Sequence, residues 1–183
     1  WRNKQNGSLA IWLIDGTTMV SGDFVKNSGG LILNASVSIW DLVAAIDTDG
    51  DNKADFVWRN KQNGSTAIWK MDGTTMVAGD FVKNSDGLVL MPSTTTWSLS
   101  ASGDVNGDDK ADLIWHNKQD GSVAIWLIDG MTMTSGGNVI NSDGNILRAT
   151  SSRWKLQSAM DTDGDNKVDI IWHDKFNGSI AVW

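Results

Sequence analysis

Every tryptophan in this chain falls into one of three slots that recur at an interval of 57 residues. Trp1, Trp58, Trp115 and Trp172 fill the first; Trp12, Trp69, Trp126 and Trp183 the second; Trp40, Trp97 and Trp154 the third. No insertion or deletion interrupts this register across the 183 residues, and the last twelve repeat the first twelve in plan. A period of this kind constrains the fold more than composition does. Each unit must be one supersecondary element that buries its apolar face only by stacking on its neighbours.

Between the third and first slots, each unit carries an acidic nonapeptide. Asp47-Thr48-Asp49-Gly50-Asp51-Asn52-Lys53-Ala54-Asp55 recurs as Asp104-Val105-Asn106-Gly107-Asp108-Asp109-Lys110-Ala111-Asp112, then as Asp161-Thr162-Asp163-Gly164-Asp165-Asn166-Lys167-Val168-Asp169. Oxygen side chains at positions 1, 3, 5 and 9 of a tight loop converge as a hard cation requires, since Ca²⁺ takes about six to eight oxygen ligands. Lys53, Lys110 and Lys167 at position 7 would add a backbone carbonyl while the ammonium points to solvent. Without a cation the crowded carboxylates repel one another. Three Ca²⁺ ions per chain are expected.

An EF-hand is excluded. That loop needs Gly at position 6 and a bidentate Glu at position 12 between two helices. Here position 6 is Asn52, Asp109 or Asn166, position 12 is Trp58, Trp115 or Trp172, and the chain contains no glutamate. Short β-prone runs follow each loop: Phe56-Val57-Trp58, Leu113-Ile114-Trp115 and Ile170-Ile171-Trp172.

Turn chemistry divides the rest of each unit. Asn6-Gly7, Asn63-Gly64, Asp120-Gly121 and Asn177-Gly178 are favoured in two-residue type I′ hairpins, which would set Trp1 directly across from Trp12, Trp58 from Trp69, Trp115 from Trp126 and Trp172 from Trp183. A second hairpin closes at Asp15-Gly16, Asp72-Gly73 and Asp129-Gly130. The second unit reads as strands at Trp40–Ile46, Asp55–Asn60, Ser65–Met71 and Thr75–Val82. Repeated four-stranded antiparallel units of this size point to β-propeller blades, with a β-solenoid as the alternative. The expectation is an all-β propeller fragment of about three and a half blades, divided into a partial blade over 1–39, blades over 40–96 and 97–153, and a partial blade over 154–183.

The blocks Asp-x-Asp-Gly-Asp-x-Lys-Ala-Asp-Phe-Val-Trp-Arg-Asn and Gly-Ser-x-Ala-Ile-Trp-x-x-Asp-Gly resemble the FG-GAP/VCBS repeats of bacterial secreted and surface proteins. They are similar in plan to the propeller blades of integrin α-subunits and of the fungal integrin-like lectins. The resemblance extends over essentially the whole chain. One departure is that the usual glycine after the third ligand is Asn52, Asp109 or Asn166, which must then accept a left-handed backbone, as Asn and Asp do.

Propeller rings need about four to eight blades, so these units are expected to belong to a larger ring of about six to eight, as a segment of a longer chain or as a homo-oligomer. Three divalent ions would bring the formal net charge from −7 to −1, so the acidity is mainly ligand chemistry. Without a basic stripe, nucleic acid is not an expected partner. There are no cysteines to record a redox compartment; millimolar calcium places the protein in an extracellular or cell-surface setting, with no membrane span. His116 and His173 share a slot with Arg2 and Arg59, which marks a surface or between-blade polar position, and no catalytic constellation is expected. Four Asn-x-Ser triplets begin at Asn6, Asn34, Asn63 and Asn177; at Asn6, Asn63 and Asn177 turn geometry explains them without glycosylation. Two binding functions remain open. One is a calcium-rigidified platform for adhesion or protein contact. The other is a lectin with sugar sites at or between blades, although repeat-locked indoles are better explained as core, and Asn27, Asn84 and Asn141 shape turns as readily as they bind hydroxyls.

Overall fold

A computed structural model describes all residues 1–183. The chain is all-β, and its strands follow the 57-residue period. β1 (Ala10–Asp15) pairs with β2 (Thr18–Phe24), and the segment before β1 lies along its start through the bridge Arg2↔Leu9 and a pair of hydrogen bonds between Trp1 and Ala10. After the two-residue β3 (Lys26–Asn27) come β4 (Trp40–Ile46), β5 (Asp55–Asn60), β6 (Thr66–Asp72) and β7 (Thr75–Phe81), an antiparallel sheet. β3 adds to its β7 edge in parallel and so fastens the first unit to the second. β8 (Trp97–Gly103), β9 (Asp112–Asn117), β10 (Val123–Asp129) and β11 (Thr132–Asn138) form the third sheet. β12 (Trp154–Met160), β13 (Asp169–Asp174) and β14 (Ile180–Val182) form the fourth. The leading strands lie side by side, β4 against β8 and β8 against β12. Apolar packing joins the first sheet to the second, the second to the third and the third to the fourth, and no such cluster joins the fourth to the first, so the four sheets form an open array.

The hairpin at Asn63-Gly64 differs from the two-residue turn expected. Asn60 N donates to Ser65 O at 2.8 Å and Gly64 N to Asn60 O at 3.0 Å, which leaves a four-residue loop over 61–64. Gly64 is left-handed at φ +78°, but Asn63 is not among the residues of positive φ, whereas type I′ needs both. Side chains decide the matter. Asn60 Oδ1 accepts from Gln62 N and Asn63 N, and Asn63 Oδ1 accepts from Ser65 N and Oγ, so the asparagines act through their amides. The register therefore moves by two: Trp58 faces Ala67, and Trp69 faces Phe56. Only an odd shift would change faces, so the indoles stay together diagonally, with ring centroids 5.0, 4.9, 4.7 and 5.1 Å apart in the four copies. The second hairpin pairs Asp72 with Thr75 around Gly73 and Thr74, with Gly73 at φ +58° in the first central position, as a type II′ turn requires.

Between consecutive sheets lie three equivalent apolar layers. Leu9 and Val25 meet Phe56, Trp58 and Met71; Val57, Ile68 and Val82 meet Leu113, Trp115 and Ile128; Ile114 and Val123 meet Leu156, Ile170 and Trp172. Each sheet uses alternate residues of one strand for its two neighbours, as Val57 and Trp58 do, because side chains alternate across a pleat. In the first tryptophan slot Trp58, Trp115 and Trp172 are fully interior while Trp1 is exposed, and in the second slot Trp12 is exposed as well. The Arg/His slot lies in the same layers. Arg2 covers the Trp58 ring and Arg59 the Trp115 ring, and His116 meets Trp172 edge-on. Their polar ends reach the linker carbonyls of Ala35, Pro92 and Ala149, which are 57 residues apart. These residues latch sheet to sheet. Burial pushes the His116 imidazole below its ordinary pKa, against the hydrogen bond to Ala149.

Candidate metal centre

Each acidic loop connects the first two strands of a sheet and is wound around its first aspartate. Asp47 Oδ1 accepts from Gly50 N at 2.8 Å and, at longer range, from Asp49 N and Asp51 N, while Oδ2 accepts from Asn52 N at 2.6 Å. Asp104 gathers the same four N–H groups in its loop, and Asp161 those of Asp163, Gly164 and Asn166. Burial raises the pKa of Asp47 and Asp104, but the backbone donors outweigh it and hold both below the ordinary value; Asp161 is lowered chiefly by Gly164 N. The tight winding needs a left-handed residue after the third ligand. Asn52, Asp109 and Asn166 have φ of 62°, 63° and 65°, the only non-glycine residues of positive φ.

In two loops the carboxylates converge. Oxygens of Asp47, Asp49 and Asp55 lie within 4.8 Å of one another, as do those of Asp161, Asp163 and Asp169. In the middle loop the third position is the amide Asn106, so Asp104, Asn106 and Asp112 do not form a three-carboxylate group. Position 5 stands outside both groups. Asp51, Asp108 and Asp165 instead accept from Lys53 N, Lys110 N and Lys167 N. The carbonyls of those three lysines accept no hydrogen bond within the protein, which leaves them open to a cation.

The position-9 carboxylate ties loop to sheet. Asp55 Oδ1 accepts from Met71 N at 2.9 Å and Oδ2 from Thr48 Oγ1 at 2.5 Å; Asp112 accepts from Ile128 N and Val105 N. Thr48 and Thr162 at position 2 thus orient the ligand that follows seven residues later, a role the ligand spacing does not signal. The fit to a cation rests on one further atom: Asp49 Oδ1 is buried and has no hydrogen-bond partner. A buried carboxylate oxygen without a partner is costly, and an oxygen-seeking divalent ion is its natural complement.

Lys70 supplies a partial substitute. Its ammonium pairs with Asp49, and this bond raises the lysine pKa; the equivalent positions are Leu13 and Leu127. A divalent ion entering the first loop must therefore compete with a tethered cation. Lys70→Leu is expected to raise calcium affinity there by about two- to fivefold, the equivalent of a part-exposed ion pair. Calorimetric titration of the variant checks this, and an unchanged or weaker first site contradicts it.

The middle loop has a different sensitivity. Burial, with repulsion from Asp108 and Asp104, raises Asp112 to about 6 despite hydrogen bonds from Ile128 N and Val105 N. Its folded pKa lies above the unfolded value of about 3.9, so in calcium-free protein its contribution to stability is present below about pH 4 and lost as pH rises through 6. Calcium binding needs the ionised form and runs the other way. Affinity at the middle loop is expected to fall as pH drops below 6; titrations at pH 5 and 7.5 check this, and equal affinities there contradict it.

The loops also connect to each other. Asp47 O accepts from Ala111 N at 2.8 Å, Asp104 O from Val168 N at 2.7 Å, and Thr48 O from Gly130 N at 2.7 Å. Asp47, Asp104 and Asp161 consequently border one shallow depression at the same end of the array.

Four antiparallel sheets, three of them with an aspartate-rich loop between two adjacent strands, define an all-β repeat protein whose acidic clusters are consistent with calcium. Residues 95–126 match the FG-GAP repeat family, and the match takes in β8, the middle acidic loop, β9 and the start of β10. No curated protein matches the chain.

Proposed function

We propose that this chain is a run of β-propeller blades that calcium stabilises, and that it serves as an extracellular binding module for adhesion or protein contact. The observation that carries this reading is the convergence of Asp47, Asp49 and Asp55, and of Asp161, Asp163 and Asp169, in loops whose backbones bond to neighbouring units. An ion in one loop would fix that loop and, through Asp47 O or Asp104 O, the start of the next unit. The ligands would be Asp47, Asp49, Asp51, Asp55 and Lys53 O in the first loop, with the equivalent sets in the others. Position 5 joins by a rotamer change that releases the lysine N–H. Calcium here supplies charge neutralisation and rigidity, and the partner is met by loops on one face.

A blade arrangement is supported by the side-by-side leading strands β4, β8 and β12 and by the FG-GAP match. FG-GAP repeats are usually binding modules, and the histidine slot serves packing, so no catalytic role is proposed. No helix is long and apolar enough to cross a membrane. The first sheet leaves Trp12, Ile14, Met19 and Phe24 exposed where equivalent residues deeper in the array are covered more fully. Such faces favour a larger ring or an oligomer. The test is retention of the chain on immobilised extracellular-matrix proteins in millimolar calcium and in chelator. Retention only with calcium is expected; equal retention in both contradicts the reading.

A further inference from the structure

Four asparagines in this chain precede a glycine: Asn6, Asn63, Asn106 and Asn177. Three of them sit at hairpin tips. Asn106 is the third residue of the middle acidic loop, where the other loops carry Asp49 and Asp163. The glycine that follows has no Cβ to keep its amide nitrogen away from the asparagine's side-chain carbonyl carbon. The four sites differ in how firmly each asparagine is held.

Asn63 Oδ1 accepts from Ser65 N at 2.9 Å and from Ser65 Oγ at 2.8 Å, and Ser65 is buried. Gly64 N is taken by Asn60 O, and a Cβ at Gly64 would collide with Pro92 O, so this tip is pressed against the linker. Asn6 is held alike by the buried Ser8, with Ala35 O against Gly7. Asn177 makes the same bonds to Ser179, but that serine is exposed and nothing packs against Gly178.

Asn106 has neither sheet nor linker behind it. It is exposed, and its side chain bonds only to Asp108, accepting from the N–H at 3.0 Å and donating to Oδ2 at 3.3 Å. A Cβ at Gly107 would meet only the flexible Lys167 side chain, 3.3 Å away. Gly107 N donates to Asp104 Oδ1, an acceptor it shares with Asn106 N and Asp108 N. Every group that restrains Asn106 therefore belongs to the acidic loop itself.

We infer that Asn106 is a site of spontaneous deamidation and that calcium in the middle loop protects it. Gly107 N, having given its proton to hydroxide, attacks Asn106 Cγ. The Cγ–Nδ2 bond breaks, and ammonia leaves with a proton taken from water. Water then opens the cyclic imide at either carbonyl, giving aspartate or isoaspartate. Aspartate at this position gives the middle loop the carboxylate set that converges at Asp47, Asp49 and Asp55. Isoaspartate puts an extra methylene into the backbone and undoes the winding about Asp104. A loop left without its ion thus separates into a form with one more carboxylate ligand and a form that no longer closes. The protection rests on reading this loop as a calcium site: with Asn106 Oδ1 on the ion, Cγ is held away from Gly107 N. The reaction in chelator does not rest on that reading.

Peptide mapping by mass spectrometry, on the full chain aged at mildly alkaline pH in chelator and in millimolar calcium, tests this. In chelator Asn106 should convert first and Asn177 next, with Asn6 and Asn63 last. Calcium at a hundred times Kd leaves about one loop in a hundred free, so conversion of Asn106 should slow by about tenfold or more. Asn177, outside the loops, should slow far less. Asn106→Gln, which must close a larger ring, should abolish conversion at that position. Asn106→Asp should bind calcium in the middle loop about threefold or more tightly, since affinity follows the charge of the ligand set. Asn106 intact in chelator, or any hairpin asparagine converting ahead of it, would overturn the assignment. Equal conversion of Asn106 with and without calcium would overturn the protection, and weaker calcium binding by Asn106→Asp the gain in affinity. The calcium reading of the whole chain is judged separately, by the melting shift with chelator, which does not depend on this reaction.

Discussion

Trp115→Ala will destabilise the chain by about 3–5 kcal/mol, the range for emptying a large aromatic site in a packed core. The ring is 1% exposed and sits in the layer between the second and third sheets with Val57, Ile68 and Ile128. Trp126 lies 4.7 Å away on one side, and the Arg59 guanidinium lies 4.7 Å from the ring centroid on another. Arg59 makes the loss more than a cavity. Burial already lowers its pKa to about 10, and its donors are engaged by the carbonyls of Gly64 and Pro92. Removing the stacked ring leaves that charge against an empty space. Trp1→Ala, at a residue 78% exposed in the same repeat slot, should cost less than about 0.5 kcal/mol. Urea denaturation of both variants gives the comparison, and similar losses would refute the layered core.

Stripping calcium should have a larger effect still. Occupancy stabilises by RT ln(1 + [Ca]/Kd), about 2.7 kcal/mol per site when calcium stands at a hundred times Kd, or about 8 kcal/mol for three independent sites. Melting followed by circular dichroism should therefore shift down strongly in chelator and return on adding calcium. Because Asp104 O holds Val168 N and Asp47 O holds Ala111 N, loss of one site should reach its neighbour. Asp161→Asn, in the last loop, should weaken the middle site as well as its own, and Asp47→Asn the first and middle sites together. Equal melting curves with and without calcium would rule out a stabilising role for the loops.

Much of this arrangement was legible in the residues. The strand bounds of the second unit follow from turn dipeptides and β-branched runs, and Trp40–Ile46 and Asp55–Asn60 are found where expected. The left-handed Asn52, Asp109 and Asn166 follow from the winding of an acidic loop that lacks glycine at that point. The hairpin register did not follow. Asn-Gly favours type I′ as an isolated dipeptide, but Asn60, three residues before Asn63, captures the turn amides and lengthens the loop. A side-chain hydrogen bond to backbone N–H groups thus overrode dipeptide preference. The separate environments of the tryptophan slots were hidden as well, because identical spacing says nothing about which indoles a neighbouring sheet covers. Lys70 was hidden for a similar reason. It is a single departure from Leu13 and Leu127, and only the sheet brings it to Asp49.

The histidine slot shows the opposite case. Sharing a position with arginine marks a polar group between sheets, and His116 indeed bonds Ala149 O at 2.7 Å in the latch that Arg2 makes to Ala35.

Isothermal titration of calcium into the chelator-treated chain at pH 7.5 is the most direct measurement of the central claim. Three ions per chain are expected, the first loop gaining affinity in Lys70→Leu and losing it in Asp49→Asn. A chain that takes up no calcium at millimolar concentration, with both variants titrating alike, would contradict it.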